Sequence, residues 1–94
     1  MTRGITGIVT KGWYELGLNY GVSVYSLAIS ENGVDWFEVP ANEGGYRFPG
    51  NTQGFTEVRH VFERSFSARF VRLTVEEILR WGMMKWAIEG CPRD

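Results

Sequence analysis

The side chains that could support catalysis are few and scattered along the chain. His60 is the only histidine and Cys91 the only cysteine, so no cluster has the spacing of a metal site. Glu76 and Glu77 are adjacent, and adjacent side chains of a strand face opposite ways, which argues against a catalytic carboxylate pair. Residues 50–54 (GNTQG) lack the Gly-Lys-Ser/Thr of a phosphate-binding loop. The sequence therefore predicts a non-enzyme with no catalytic residue, metal or cofactor, in which His60 is a strand histidine bonded to a neighbour.

Residue types that suit recognition are concentrated in the segment 11–21 (KGWYELGLNYG), which connects two predicted strands. Turns are normally polar because they meet water. Here large apolar and aromatic side chains surround Gly17, which permits a tight apex. Such a hairpin can present these side chains to a membrane interface, a sugar or a protein groove. The alternative is that some of them fold back over the core. The side chains concerned are Trp13, Tyr14, Leu16, Leu18 and Tyr20.

Composition places the chain among small globular domains. It has 94 residues, of which 44% are hydrophobic and 22% charged, and this excludes disorder and allows one modest core in a single domain, 1–94. No apolar run approaches the length of a membrane span. Ten basic and eleven acidic residues leave a formal charge of −1, so the net electrostatic field does not favour binding to nucleic acid.

The elements that must position the hairpin are predicted to be strands. Aromatic residues make up 15% of the chain and twelve glycines accompany them, a mixture typical of strands joined by turns. Residues 76–81 could begin a helix or form an irregular connection, and we favour the connection. The pattern indicates an all-β sandwich or barrel. The predicted strands are 5–10, 22–30, 36–39, 56–62, 68–75 and 84–90, with Asn32-Gly33 as a tight turn and 41–54 as a turn-rich excursion.

Several segments together resemble a known family. They are 5–12 (ITGIVTKG), 24–36 (VYSLAISENGVDW), 48–52 (FPGNT), 68–73 (ARFVRL) and the terminal Gly90-Cys91. In this order and spacing they closely resemble the discoidin domain, the type C domain of coagulation factors V and VIII. The resemblance implies an all-β jelly-roll sandwich of about eight antiparallel strands and a non-enzymatic extracellular adhesion or recognition module. Family members bind anionic phospholipid, glycans, collagen or other cell-surface proteins through hairpins at one end of the barrel.

Carried over by position, the resemblance assigns 11–21 to one of the projecting ligand-binding hairpins. The tip, 16–18, matches the place where coagulation-factor members carry membrane-inserting apolar residues. Lys85 matches a basic residue of the final strand, and Trp36 matches a core tryptophan. The predicted ligand-binding residues are therefore Lys11, Trp13, Tyr14, Leu16, Leu18, Tyr20 and Lys85.

The chain also departs from the family pattern. A full family domain is longer and opens with a cysteine-bearing segment, and Cys91 resembles the closing cysteine of that pair. The expectation is that this chain is the C-terminal two-thirds of a domain from a longer secreted protein, located outside the cell or at its surface. Residues 1–7 do not form a signal peptide. Gln53 stands where an acidic residue is common, which argues against ion binding by that turn.

Three functions follow from these expectations. The first is a recognition module that attaches a protein to cell-surface or matrix ligands such as anionic phospholipid, glycan or collagen, with peripheral membrane contact. The second is a carbohydrate-binding module of a larger enzyme, in which Trp13, Tyr14 and Tyr20 stack on sugars. The third is a self-associating structural fragment. Because missing strands would leave a sheet edge open, we predict a homo-oligomer formed by strand exchange or through Cys91.

Overall fold

The computed structural model describes residues 2–41, 45–52, 56–80 and 84–93, and every regular element within these ranges is a β-strand. Broad aromatic and β-branched side chains fit a pleated surface, while glycines occupy the turns. The predicted all-β antiparallel sandwich is confirmed. The strands are β1 (Thr2–Lys11), β2 (Trp13–Glu15), β3 (Leu18–Tyr20), β4 (Val22–Ser30), β5 (Phe37–Glu38), β6 (Phe48–Pro49), β7 (Glu57–Ala68), β8 (Phe70–Ile78) and β9 (Lys85–Arg93).

Two antiparallel sheets form the body of the domain. In one, β1 lies between β7 and β9, with Lys11 opposite Glu57 on one side and Lys85 on the other. In the second, β4 is central: β8 pairs along one of its edges, and β5 and β6 pair along the other. β2 and β3 form a separate two-stranded hairpin between β1 and β4. The hairpin therefore lies at the end where β1 finishes and β4 begins.

The core fills the space between the two sheets. Ile5 and Ile8 of β1 and Tyr25 of β4 are buried there, together with Phe48 and Phe62. The rings of Tyr25 and Phe48 stack with centroids 5.4 Å apart and an interplanar angle of 8°. Aromatic pairs of this kind contribute about 0.5–1.5 kcal/mol beyond the burial of their area. The core is small, as expected for a chain of this length.

The predicted alternation in β4 is confirmed. Tyr25, Leu27 and Ile29 face the core, whereas Ser26 and Ser30 face the other way. These serines are nevertheless buried, because β4 is flanked on both edges. Ser26 Oγ donates to Glu76 Oε2 across the outer face of the sheet at 3.0 Å.

Several predicted boundaries were wrong. Residues 76–78 continue β8 and form neither a helix start nor an irregular connection, because Glu77 and Ile78 pair with Val24 and Val22 of β4. The strand predicted to end at Phe62 continues as β7 to Ala68 in pairing with β1. The predicted excursion 41–54 contains β6, although 42–44 and 53–54 lie outside the described residues.

The turn after β4 also differs from the prediction. Gly33 has a φ of 79°, but Asn32 does not have a positive φ. Its side-chain oxygen instead accepts hydrogen bonds from the backbone N–H groups of Val34 and Asp35, both at 2.8 Å. Trp36 lies outside the core cluster: it is half-buried, and the Arg72 guanidinium carbon stands 4.3 Å from its ring centroid. The returning strand is reduced to β5.

Candidate functional site

The hairpin of β2 and β3 leaves the sandwich at the end where β1 finishes and β4 begins. Its arms pair Trp13 with Tyr20, Tyr14 with Asn19 and Glu15 with Leu18. Directly opposed residues of an antiparallel pair share a face, so Trp13, Leu18 and Tyr20 lie on one side of the hairpin and Tyr14 on the other. Among the described residues, the two arms pair only with each other.

Most of the predicted contact residues are exposed. The exposed fraction is 44% for Trp13, 49% for Tyr14, 92% for Leu16 and 37% for Leu18, while Tyr20 is half-buried. None of the five belongs to the core cluster of the described residues, so the fold-back alternative is not observed. We define the hairpin surface as Trp13, Tyr14, Leu16, Leu18 and Tyr20.

The apex of the hairpin is conformationally unusual. Leu16 and Gly17 have φ angles of 53° and 76°, the positive values required at both central residues of a type I′ turn. Asn, Asp and Gly are preferred at such positions, because a larger L-residue crowds its own backbone there. Leu16 therefore combines a disfavoured backbone conformation with an almost fully exposed apolar side chain. The turn requires the positive φ at Leu16, but folding of this chain gains nothing from an exposed aliphatic side chain there.

Two lysines lie beside the base of the hairpin. Lys11 and Lys85 are directly opposed in the β1–β9 register, and both are exposed. Within the described residues neither forms a salt bridge. Next to them is a shallow hollow of about 300 Å³ lined by Gly12, Trp13, Met84 and Lys85. Positive charge and an apolar floor therefore adjoin the hairpin surface.

A buried asparagine anchors the base of the hairpin. Asn51 is fully buried, and its Nδ2 donates to the carbonyl oxygens of Thr10 at 3.3 Å and Thr56 at 2.9 Å. Its backbone N–H donates to Val22 O at 2.9 Å. One residue thus connects the end of β1, the start of β4 and the approach to β7. This network connects the two strand ends from which the hairpin leaves the sandwich.

Among the described residues of the core below the hairpin, one ionisable group has a shifted pKa. Burial raises the pKa of the Tyr25 phenol from 10.0 to about 12, and the side chain of Thr10 partly opposes this increase. Tyr25 therefore stays neutral at physiological pH. It stacks on Phe48 and takes no part in the exposed surface.

Three apolar residues near the hairpin were not singled out from the sequence. Leu79 is exposed, and its N–H donates to Gly21 O at 2.8 Å, which places it beside the end of β3. Trp86 is exposed next to Lys85, and Met84 lines the hollow. The alternation of 84–88 was visible in the sequence. The proximity of residues 84–88 to the hairpin depends on the pairing of β9 with β1, which joins segments that are distant in the sequence.

The histidine considered above for catalysis makes a structural contact. His60 Nε2 donates to Pro49 O at 2.6 Å, as expected for a strand histidine bonded to a neighbour. Among the residues that the structure describes, no three His, Cys, Asp or Glu side chains are grouped as a metal ion would require. Gln53, considered above for ion binding, lies outside the described residues. No helix in the described part of the chain is long and apolar enough to cross a membrane.

Comparison with known proteins establishes the family. The F5/8 type C domain family matches residues 2–88, and the chain belongs to this family. It is 37% identical to lactadherin of Bos taurus over 73 residues, which cover 76% of this chain and 17% of lactadherin. It is 34% identical over 91 residues to rat discoidin, CUB and LCCL domain-containing protein 2, covering 95% of this chain and 12% of that protein.

Human neuropilin-1 is 29% identical over 93 residues, which cover 97% of this chain and 10% of that protein. The chain thus spans less than a fifth of the length of these relatives. The structure of discoidin II from Dictyostelium discoideum superimposes with a TM-score of 0.83 at 19% identity, covering all of this chain and 35% of that one. This likeness shows the fold and confirms the discoidin-type sandwich.

Proposed function

We propose that residues 1–94 form a non-enzymatic recognition module, acting outside the cell or at its surface, that binds anionic phospholipid surfaces through the hairpin surface. The observation that carries this proposal is Leu16: it is 92% exposed and has a positive φ. The exposed aliphatic side chain is unfavourable in water and becomes favourable when the apex enters an apolar layer, and the positive φ belongs to the tight turn that holds it at the apex. Membership of the F5/8 type C family supports a binding role.

The chemistry of the surrounding residues fits an interface between water and lipid. Trp13, Tyr14 and Tyr20 combine an apolar ring with a polar tip, which suits the headgroup region behind an inserted apex. Lys11 and Lys85 stand beside the hairpin without a salt bridge among the described residues, so they are free to approach lipid phosphates. The predicted contact residues from apex to base are therefore aliphatic, aromatic and cationic, with the exposed carboxylate of Glu15 beside the apex.

The expected affinity is modest. Burying Leu16 and part of Leu18 contributes about 3–4 kcal/mol, and two lysines near an anionic surface add about 1 kcal/mol each. The sum of about 5–6 kcal/mol corresponds to a dissociation constant near 0.1 mM. One module should therefore bind reversibly, and its binding should weaken as salt screens the lysines.

Sedimentation with vesicles tests the proposal. The protein should bind phosphatidylserine-containing vesicles more tightly than phosphatidylcholine vesicles, and Leu16→Asp with Leu18→Asp should abolish binding. Val34→Asp is the matched control, because Val34 is an exposed aliphatic residue at the other end of β4. Equal binding by the double variant and the control would contradict the proposal.

A carbohydrate-binding role is the second candidate. The observation that favours it is the direct opposition of Trp13 and Tyr20, which places two aromatic rings on one face beside the hollow lined by Met84 and Lys85. Sugars stack on such platforms. A glycan-array signal that is lost with Trp13→Ala and kept with Leu16→Asp would establish this function over lipid binding. If Trp13 instead resists quenchers without any ligand, the hairpin packs on a sister chain.

A further inference from the structure

The apex of the hairpin carries a carboxylate to which the proposed function gives no role. Glu15 is the only charged residue of the segment 12–21. It is exposed, it directly precedes Leu16, and it lies opposite Leu18 in the β2–β3 register. Directly opposed residues share a face, and their Cβ atoms are about 4.5–5.5 Å apart. An approach that brings Leu18 to the apolar layer of a membrane therefore brings the carboxyl group of Glu15 to the boundary of that layer.

The surroundings of Glu15 do not neutralise its charge. On the hairpin itself, the other titratable groups are the phenols of Tyr14 and Tyr20, which supply no positive charge. The charged residues at the base of the hairpin are Lys11, Lys85, Glu57, which lies opposite Lys11, and Arg80, which follows the residue bonded to Gly21. Within the residues that the structure describes, Glu15 forms no salt bridge with any of them.

We propose that binding of the hairpin surface to anionic phospholipid is coupled to protonation of Glu15, an inference that rests on the proposed function. The negative potential of an anionic leaflet repels a carboxylate, which weakens binding by about fivefold per charge. Contact with the apolar layer adds to this cost, because desolvation disfavours the charged form of a carboxyl group. The neutral acid avoids both costs. Glu15 therefore takes a proton from the solution as the apex enters the membrane.

This coupling determines how binding depends on pH. The bound protein holds one more proton at Glu15 than the free protein does, so binding strengthens as the pH falls. The attraction of Lys11 and Lys85 does not produce this change, because lysine side chains stay protonated throughout the range from pH 7.5 to about 5. The hairpin surface thus selects anionic membranes in contact with a mildly acidic solution, and Glu15 is the residue that sets this selectivity.

Vesicle sedimentation at about pH 7.5 and about pH 5 tests the coupling, with a chelator present so that no divalent cation replaces the proton. Vesicles of phosphatidylglycerol and phosphatidylcholine are suitable, because the phosphodiester groups stay ionised at both values. The wild type should bind about fivefold more tightly at the lower pH. Glu15→Gln should bind about fivefold more tightly than the wild type at the higher pH and should change little between the two.

Glu31→Gln is the matched control, because Glu31 is an exposed glutamate at the other end of β4. It removes the same charge and should bind as the wild type does at both pH values. His60, which contacts Pro49 O, also titrates near this range but is present in all three proteins. Its contribution, and that of the lipid, cancels in the comparison.

Calorimetry in two buffers of different ionisation enthalpy measures the proton directly. At about pH 6, the wild type should take up more protons per bound molecule than Glu15→Gln, by a difference of up to about one. Equal proton uptake, or an equal pH dependence of binding in the two proteins, would overturn the coupling and leave the proposed function intact. If none of the three proteins binds the anionic vesicles at either pH, the coupling and the proposed function are both wrong.

Discussion

Lys11 and Lys85 are separated by most of the chain, yet they lie directly opposite each other where β1 and β9 end beside the hairpin. Like charges directly opposed across a sheet are destabilising by about 0.2–1 kcal/mol. Glu57, opposite Lys11 on its other side, offsets part of that repulsion through its position in β7. An anionic ligand beside the two lysines would remove the remaining repulsion. Part of the stability that the lysine pair costs would then be recovered on binding.

The first prediction concerns this pair. Lys85→Gln should weaken binding to phosphatidylserine vesicles by about fivefold, because each lysine contributes about 1 kcal/mol near an anionic surface. The free energy of unfolding should stay equal or rise, because the opposed charge has gone. Vesicle sedimentation and urea unfolding measure the two effects. Lys85→Arg, which keeps the charge, is the control; if it behaves as the glutamine variant does, the electrostatic explanation fails.

The second prediction concerns the apex. Leu16→Asn should raise the free energy of unfolding by about 0.5–1 kcal/mol, because asparagine tolerates a positive φ better than leucine does. The same substitution should weaken vesicle binding by about tenfold or more through the lost aliphatic group. In this one variant, urea unfolding should show a higher stability and vesicle sedimentation a weaker binding.

Leu18→Asn is the matched control for the apex, since Leu18 is not among the residues with a positive φ. It should weaken binding without stabilising the fold. If both asparagine variants change stability alike, the backbone of Leu16 is not the source of the effect.

The third prediction concerns the anchor of the hairpin. Asn51→Ala should lower the free energy of unfolding by about 1–2 kcal/mol, because the loss of the donor that Thr10 O and Thr56 O share outweighs the removal of the buried Oδ1, which has no partner among the described residues. Thermal or urea unfolding measures the loss. Thr52→Ala, at the exposed neighbouring position, should change stability by less than about 0.5 kcal/mol. Equal effects at the two positions would refute the anchoring role.

The fourth prediction concerns alkaline pH. The pKa of Tyr25 is about 12 in the folded protein, against 10.0 for the ordinary phenol of the unfolded chain. Between pH 10 and about 12, the folded chain therefore keeps the phenol proton of Tyr25 that the unfolded chain releases. The contribution to stability, about 2–3 kcal/mol, is complete below pH 10 and disappears as the pH rises from about 10 to about 12.

Tyr25→Phe removes that contribution, so the difference in free energy of unfolding between wild type and variant should shift by this amount across the same pH range. Urea unfolding at a series of alkaline pH values measures the difference, in which the titration of other groups cancels. A difference that is flat between pH 10 and 12 would show that Tyr25 ionises normally in the folded state.

Much of the fold could be predicted from the sequence, and the reasons are local. The alternation of Tyr25, Leu27 and Ile29 identified β4 and its buried face, and the glycines around 11–21 identified the hairpin. The end of β8 could not be found this way. Two adjacent glutamates resemble a helix start until the pairing of Glu77 and Ile78 with the start of β4, remote in sequence, is known.

The candidate site was only partly accessible to sequence analysis. Unusually apolar turn residues indicated a binding surface. The exposure of each side chain depends on packing, however, and the residue type of Leu16 does not predict its positive φ. The resemblance placed Lys85 on a final strand. Its position opposite Lys11, and the arrival of Met84 and Leu79 near the hairpin, depend on strand pairing between distant segments.

In the proposed function, Leu16 is the first residue of the chain to enter an anionic membrane. An environment-sensitive fluorophore attached at Leu16→Cys in a Cys91→Ser background tests it most directly, with Val34→Cys at the far end of β4 as the reference position. On addition of phosphatidylserine vesicles, the emission of the probe at position 16 should shift to the blue and resist aqueous quenchers, while the probe at position 34 should not change. Unchanged emission at both positions under saturating vesicles, or a shift at position 34 alone, would contradict the account.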